Sequence, residues 1–375
     1  MTGKRRKHVL IGRLNGMAKM KKPVGARPDQ DYEMEKVSTS FGSISVEVVG
    51  DKHKPAILTY HDLGLNGNSC FQGFFQFSEM HCIAERFCVY HMNAPGQQDG
   101  AERFDDTYIY PSVDDLAQQI TSVVEHFELK SFIGFGVGLG ANVLMRYARK
   151  NPRKVDALIL INATAAAAGW MEWGYQKVNC SYLRSRGMTT FTVDYLMWHH
   201  FGRNLDNYNP DMIDSYRHYF ASLTKPINLA GLIESWLARH PLTMSRVPGG
   251  VGTIECPVLQ LVGSGSPHIH ETVEVNGKLD PTKSEYIKIS DTCGLVLEDA
   301  PAKITEAIIL FLQGQGYFPQ LYNKWQQQRR SVQLDQMPSR FGSVSQTDET
   351  HRQGTSQQHQ QQQHEQQHRR ATVIT

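Results

Sequence analysis

The chain has 375 residues, and its 39 Lys and Arg residues nearly balance its 37 Asp and Glu residues, for a formal net charge of +2. This balance gives no support for a specific nucleic-acid-binding protein, whose surface is usually strongly basic. Hydrophobic residues make up 40% of the chain, which is enough for one large packed core. No run of about 18 apolar residues is present to span a membrane.

Residues 1–30 form a basic arm, which we predict to be disordered. Nine Lys and Arg residues and no acidic residue fall within residues 1–27. Apolar residues are too sparse there for the core of a signal peptide. A solvated tail is the simplest interpretation, and attraction to anionic lipid, nucleic acid or an acidic partner is the alternative.

Alternating strand and helix patterns occupy residues 31–317, which we predict to be one domain. Helix patterns lie between the strands, as at 113–127, and several later strands are continuously apolar, as expected of parallel strands buried on both faces. The class is therefore α/β with a mostly parallel central sheet and helices on both faces. The predicted strands are 44–49, 55–60, 87–92, 131–135, 157–161, 258–262 and 286–289.

A strand, a glycine-rich turn and a helix follow one another around Gly138. The turn Gly136-Val-Gly138-Leu-Gly140 has the spacing of the nucleophile elbow, G-x-S-x-G, but Gly138 occupies the position of the serine. A residue without oxygen or sulfur at this position cannot form an acyl-enzyme.

The other two members of a catalytic triad are also missing. The acid should follow the strand at 258–262, where the sequence has Ser266 within a run without a carboxylate. The histidine should follow the strand at 286–289, where Leu295 comes directly after Cys293-Gly294. Loss of a nucleophile or base alone can lower kcat by about a million-fold, so the sequence predicts no triad catalysis.

The loop after the strand at 55–60 also disfavours acyl transfer. Hydrolases normally take an oxyanion donor from this loop, often at a His-Gly turn, whereas this chain has His61-Asp62. A carboxylate would repel a developing oxyanion.

Residues 164–252 form the longest gap between strands, and we predict a helical cap there. The gap is rich in aromatic residues, which we expect mainly to pack the cap onto the core. A ligand pocket in this architecture would lie beneath the cap. Its expected lining residues are His61, Asp62, His91, Trp170 and Trp173.

Residues 318–375 form a glutamine-rich tail that we predict to be disordered, since it has too little apolar surface to fold alone. Hydroxyl groups close to arginines give candidate phosphorylation sites, at Ser331, Ser339, Ser343 and Ser345. The six cysteines include no C-x-x-C pair, which favours free thiols in a reducing compartment.

Two further patterns suggest functions that the rest of the sequence does not favour. Gly136 to Ala141 also fits the dinucleotide motif G-x-G-x-x-A, but Asp156 precedes the next strand instead of ending it. Three groups of histidines suggest metal binding, but their spacing in the sequence does not guarantee that they come together in the fold as ligands of one ion. We therefore favour capping or surface roles for them and predict neither a metal nor a cofactor. The groups are His268 with His270, His199 with His200, and His61-Asp62 with His91.

Several segments between about residues 33 and 317 resemble the N-myc downstream-regulated (NDRG) family of α/β-hydrolase-like proteins. The resemblance implies an α/β-hydrolase fold and a non-enzymatic, cytoplasmic protein that acts in signalling, stress response or differentiation. It also implies tail phosphorylation, although the repeated tail motif of the family is absent here. The segments are Tyr60–Asn66, Ser69–Phe71, Ala94–Gly96, Asp99–Ala101, Gly134–Ala141, Arg146–Ala148, Leu160–Asn162, Gly169–Trp173, Asn276–Thr282 and Phe311–Tyr317.

These observations favour a cytoplasmic α/β-hydrolase-fold pseudoenzyme that acts as an adaptor through protein partners, with contact to anionic lipid as an additional mode. One alternative is a divergent hydrolase that uses Ser69, Cys70 or Asp62. The other is a small-molecule carrier that kept the pocket and lost the chemistry. The oligomeric state is not determined by the sequence.

Overall fold

A mostly parallel sheet of eight strands forms the centre of the molecule. The computed structural model describes residues 33–105 and 107–318. The strand order is β1-β2-β4-β3-β5-β6-β7-β8. β1, β2 and β4 pair antiparallel, and every other neighbouring pair is parallel. The strands are β1 (Glu33–Thr39), β2 (Gly42–Val49), β3 (Ala56–Tyr60), β4 (Cys88–Met92), β5 (Phe132–Val137), β6 (Val155–Ile161), β7 (Val258–Gly263) and β8 (Ser284–Ile289).

Helices connect the parallel strands and cover the sheet. β3, β4, β5 and β7 are buried at every residue, which requires cover on both faces. The helices are α1 (Gly67–Phe75), α2 (His81–Ala84), α3 (Val113–His126), α4 (Leu139–Lys150), α5 (Trp170–Arg186), α6 (Thr190–Phe201), α7 (Pro210–Ala221), α8 (Pro226–Leu237), α9 (Ile269–Lys278), α10 (Val296–Asp299) and α11 (Pro301–Gly314).

The helical cap comprises α5 to α8, between β6 and β7. Local signals in the sequence set its helix ends. The Thr189 side chain caps α6 by accepting from the Thr192 N–H, and Gly202, at a φ of 81°, ends it. α7 and α8 both start with a proline at the first helical position. No helix of the described part combines the length and the apolar composition needed to cross a membrane.

The predicted arm and the predicted phosphorylation sites lie outside the described residues. At the other end, Phe318 is buried and its ring lies 5.3 Å from that of Phe87. The packed core therefore extends one residue beyond the predicted end of the domain at 317.

Because the central strands run parallel, their carboxyl ends meet at one edge of the sheet. The loops after β3, β5, β7 and β8 leave this edge, and they carry Asp62, Gly138, Ser266 and Leu295 in that order. The fold thus collects residues that are up to 233 positions apart in the chain.

Candidate functional site

The turn after β5 keeps the backbone of a nucleophile elbow. Gly138 has φ 53° and ψ −110°, its N–H donates to the Ile161 carbonyl at 2.9 Å, and α4 starts at the next residue. The flanking glycines are sterically required. A Cβ on Gly136 would lie 2.6 Å from the Ala141 backbone nitrogen, and one on Gly140 would overlap the Tyr60 carbonyl oxygen. The strained turn is present without the side chain that it normally presents.

The Asp62 carboxylate fills the space that a side chain at Gly138 would need. A Cβ built on Gly138 would overlap the Asp62 carboxyl carbon and both of its oxygens. Oδ1 accepts from the N–H of Leu63 at 2.8 Å and from the N–H of Leu139 at 2.9 Å. These two N–H groups come from the loop after β3 and from the residue after the elbow, where hydrolases of this architecture form their oxyanion hole. The hole is therefore filled by an anion of the protein itself.

Asp62 is 1% exposed and is held ionised by its partners. His199 Nε2 donates to its Oδ2 at 2.9 Å, and His200 Nδ1 lies 3.9 Å from the same oxygen. Burial opposes ionisation, but the interaction with His199 and the hydrogen bond from the Leu139 N–H outweigh it and hold the pKa of Asp62 well below its ordinary value. Three hydrogen bonds within the protein hold the carboxylate in place, so it is poorly placed to attack a substrate.

His199 and His200 come from the buried side of the cap helix α6. His200 Nε2 donates to the Leu63 carbonyl at 2.8 Å, and its ring stacks on Phe220 at 5.4 Å. Burial and the nearby His199 lower the pKa of His200 to about 4. His268 Nε2 lies 3.0 Å from the His199 carbonyl, and burial lowers the pKa of His268 to about 3. The sequence flagged these histidines but could not connect them to Asp62.

The other two triad positions carry no group that could replace the missing ones. Ser266 donates through Oγ to Asn162 Oδ1 at 2.9 Å and accepts from the His268 N–H at 3.1 Å. Leu295 is buried, and its N–H donates to Cys293 Sγ at 3.3 Å. Both residues hold loops at the edge of the sheet.

His61 and His91 are satisfied within the core. His61 Nδ1 donates to the Asp62 carbonyl at 2.8 Å, and Nε2 accepts from the Ala94 N–H at 3.0 Å, which fixes a neutral ring. Burial lowers the pKa of His61 to about 4 and that of His91 to about 3. His91 Nδ1 lies 2.8 Å from Thr59 Oγ1. Both rings are buried, at 0% and 4% exposure.

The structure does not place the two predicted tryptophans beneath the cap with these residues. Trp170 is 83% exposed and Trp173 is 51% exposed, at the start of α5. Within the described residues these two side chains are therefore more exposed than a lining of a pocket beneath the cap would be. A cavity of about 630 Å³ lies elsewhere, between the end of α6 and the loops after β7 and β8, with a lining that includes Trp198, Arg203, Asn207, Tyr208, Gly265 and Thr292.

The residues of the divergent-hydrolase alternative are not arranged as nucleophiles. Ser69 Oγ accepts from the Asn66 N–H at 2.9 Å and from the Tyr219 hydroxyl at 3.0 Å, and the contacts of this oxygen include no base. Burial raises the pKa of the Cys70 thiol well above its ordinary value, so the thiolate is disfavoured. Asp156, the acid of the dinucleotide alternative, lies at the start of β6, at the opposite end of the strand from the elbow edge.

Comparison with known proteins places these features in a family. Residues 34–319 match the model of the Ndr family. The chain is 39% identical to Protein NDRG3 of Xenopus tropicalis over 297 residues, which cover 78% of this chain and 75% of that protein. It is also 39% identical to Protein NDRG2 of Bos taurus, with 77% of this chain and 80% of that protein covered.

Solved hydrolase structures share the fold. A thermophilic esterase from Thermogutta terrifontis superposes with a TM-score of 0.62 at 18% identity, over 76% of this chain and 99% of that one. The enol-lactonase from Burkholderia xenovorans LB400 superposes with a TM-score of 0.60 at 15% identity, over 74% and 100%. At these identities the likeness establishes the α/β-hydrolase fold and nothing about activity.

Proposed function

The chain belongs to the Ndr family, and we propose that it is a non-catalytic α/β-hydrolase-like protein that acts in signalling, stress response or differentiation through its surface and tails. One observation carries the non-catalytic part. The Asp62 carboxylate accepts from both N–H groups of the oxyanion hole and overlaps the volume of a side chain at Gly138. A substrate carbonyl therefore has neither a nucleophile nor a polarising pair of donors.

Turnover of short- and medium-chain esters by the purified chain tests this proposal. The matched variant is Ser69→Ala with Cys70→Ala, because it removes two of the three alternative nucleophiles and leaves the contacts of the third, Asp62, in place. We expect the two proteins to hydrolyse every ester at the same background rate. Ester turnover that the double variant loses would establish a relocated nucleophile and refute the proposal.

An exposed apolar surface on α5 supports a role in binding. We call the residues Trp170, Trp173, Tyr175 and Val178 the α5 patch, and they are between 45% and 83% exposed. Exposed clusters of this kind often mark interaction sites, because aromatic side chains bury a large area at low entropic cost. Comparison of the partners cross-linked by the wild type and by Trp170→Ser with Trp173→Ser tests this part. Identical cross-linked partners would argue against the α5 patch.

The cavity beside α6 favours the carrier as a second candidate. Its lining combines two aromatic rings, of Trp198 and Tyr208, with the guanidinium of Arg203, the amide of Asn207 and the carboxylate of Asp291, a set suited to a small polar metabolite. Such a ligand would raise the unfolding temperature, since it would bind only the folded state. The shift should disappear in Arg203→Gln, and a metabolite library that shifts neither protein would argue against a carrier.

A further inference from the structure

Asp62, His199 and His200, which we call the Asp62 cluster, bring three metal-ligating side chains together from two distant parts of the chain. Each can offer one ligand atom, and these atoms lie within 4.8 Å of one another in a buried setting. We propose that the Asp62 cluster binds one divalent transition-metal ion of the zinc type, which joins the cap helix α6 to the loop after β3. Two imidazole nitrogens and one carboxylate oxygen suit zinc and its neighbours better than calcium or magnesium, which prefer oxygen ligands alone.

The hydrogen bonds around the Asp62 cluster already orient the ligand atoms. His200 Nε2 lies 2.8 Å from the Leu63 carbonyl, which can only accept, so the proton of the neutral ring is on Nε2 and Nδ1 has a free lone pair. Asp62 Oδ1 is held by two backbone N–H groups, which leaves Oδ2 for a metal. Ligating histidines usually donate their second N–H to a carbonyl or carboxylate, and ligating carboxylates are usually hydrogen-bonded in turn.

Electrostatics also favours a cation at this point. His200 Nδ1 and Asp62 Oδ2 face each other across 3.9 Å, and in the neutral ring both atoms are acceptors. A metal ion between them converts an unfavourable contact of two lone pairs into two coordinate bonds. When a metal binds His199 Nε2, the proton that this atom donates to Oδ2 moves to Nδ1 of the same ring or to solvent, since a ligating histidine nitrogen must be unprotonated.

The distances from Asp62 Oδ2 to the two histidine nitrogens require only small movements, and the nitrogens themselves, which lie within 4.8 Å of one another, must approach by up to about 1.5 Å. Ligand atoms of a tetrahedral zinc site lie about 3.3 Å apart when each bond is about 2.0–2.1 Å. Oδ2 lies 2.9 Å from His199 Nε2 and 3.9 Å from His200 Nδ1, so the two separations change by about half an ångström in opposite directions. Rotation of the imidazole rings about χ2 is enough for such a change.

Zinc titration of the metal-free full chain against a competing chelator tests the proposal. All proteins carry Gln in place of His351, His359, His364 and His368, because tail histidines could bind zinc on their own. The variants are His200→Gln and His199→Gln. The matched control is His270→Gln, which removes a ring that is 83% exposed on α9.

We expect one zinc ion per chain, with an affinity that falls by about 10- to 100-fold or more in each variant of the Asp62 cluster and is unchanged in His270→Gln. Cobalt should give the visible absorption of a nitrogen- and oxygen-ligated site in the parent and in His270→Gln, because both keep the Asp62 cluster intact. Equal zinc affinity in His200→Gln and its parent would overturn the proposal, and so would the lack of a stoichiometric site in the parent.

A second measurement covers the case in which a variant fails to fold. Zinc, but not magnesium, should raise the unfolding temperature of the parent and of His270→Gln, because the ion links the cap to the core only in the folded state. No rise in the parent would overturn the proposal without any variant. Neither readout depends on hydrolysis, so ester turnover could refute the proposed function and leave this inference intact.

Discussion

Restoring the missing serine should damage the fold and leave the protein inactive. In Gly138→Ser the new Cβ overlaps the Asp62 carboxyl group, and the backbone at φ 53° and ψ −110° already strains any residue with a side chain. The carboxylate must leave its two N–H donors and His199. Displacing a buried carboxylate from its hydrogen-bond donors leaves its charge uncompensated, which costs about 3–5 kcal/mol, so we expect the free energy of unfolding to fall by about that amount.

Urea unfolding, followed by the fluorescence of the five tryptophans, measures this effect. Gly277→Ser is the matched control, because a Cβ at Gly277 has no atom within 4 Å among the described residues. The double variant Gly138→Ser with Asp62→Gly should be about 1–3 kcal/mol more stable than the sum of the two single effects predicts. The reason is that Asp62→Gly removes the carboxyl group that the serine would overlap. Equal urea midpoints for Gly138→Ser and Gly277→Ser, or strict additivity in the double variant, would refute this account of the site.

Three further predictions concern the packing around the site. Arg146→Ala should lower the free energy of unfolding by about 3–5 kcal/mol, because the buried guanidinium binds Asn142 and, at 2.9 Å, Asp114. Lys150→Ala should lower it by less than about 1 kcal/mol, because the ammonium of Lys150 is exposed and lies 3.7 Å from Asp114. Similar urea midpoints for the two variants would contradict this prediction. Burial lowers the pKa of His91 to about 3. Below pH 6.5 the ring is therefore protonated in the unfolded chain but not in the native protein, so the free energy of unfolding decreases as the pH is lowered. Glu47, which pairs with position 91 across β2 and β4, is left unchanged. His91→Gln should then reduce the slope of the unfolding free energy against pH, between pH 6 and 4, by up to about 1.4 kcal/mol per pH unit. An unchanged slope would contradict this prediction. Burial raises the pKa of Cys82 to about 11, and the other five cysteines are buried. A thiol reagent at pH 8 should therefore react slowly with the native protein, whereas in denaturant it should react with all six thiols. Rapid labelling of several thiols in the native protein would contradict this prediction.

The sequence predicted most of the fold because the central strands are short, continuously apolar and separated by helix patterns. The seven predicted strands are all present, with ends that differ by two residues or fewer. β1 was missed, since Glu33–Thr39 is an edge strand in which only Val37 is buried. A strand with one buried residue lacks the alternation that sequence patterns detect.

The positions at which a triad would be expected could be located in the sequence, whereas the contacts around Asp62 could not be predicted. Gly138, Ser266 and Leu295 could be recognised because local motifs surround each of them. The role of Asp62 depends on Leu139 and His199, which are 77 and 137 positions away in the chain. No local pattern encodes such pairs, so the same residues were divided between two unrelated histidine groups when only spacing was considered.

The glycine at position 138 and the carboxylate at position 62 depend on each other physically. A serine at 138 would overlap the Asp62 carboxyl group, while a glycine at both positions would leave the buried N–H groups of Leu63 and Leu139 and the ring of His199 without their acceptor. Each orphaned group would cost about 1–3 kcal/mol. The carboxylate therefore stabilises the elbow in the role that a bound substrate oxygen would otherwise take. Catalysis by a serine triad would require changes at both positions together, and also an acid near Ser266 and a histidine at Leu295, which is why no single substitution should create a serine esterase from this chain.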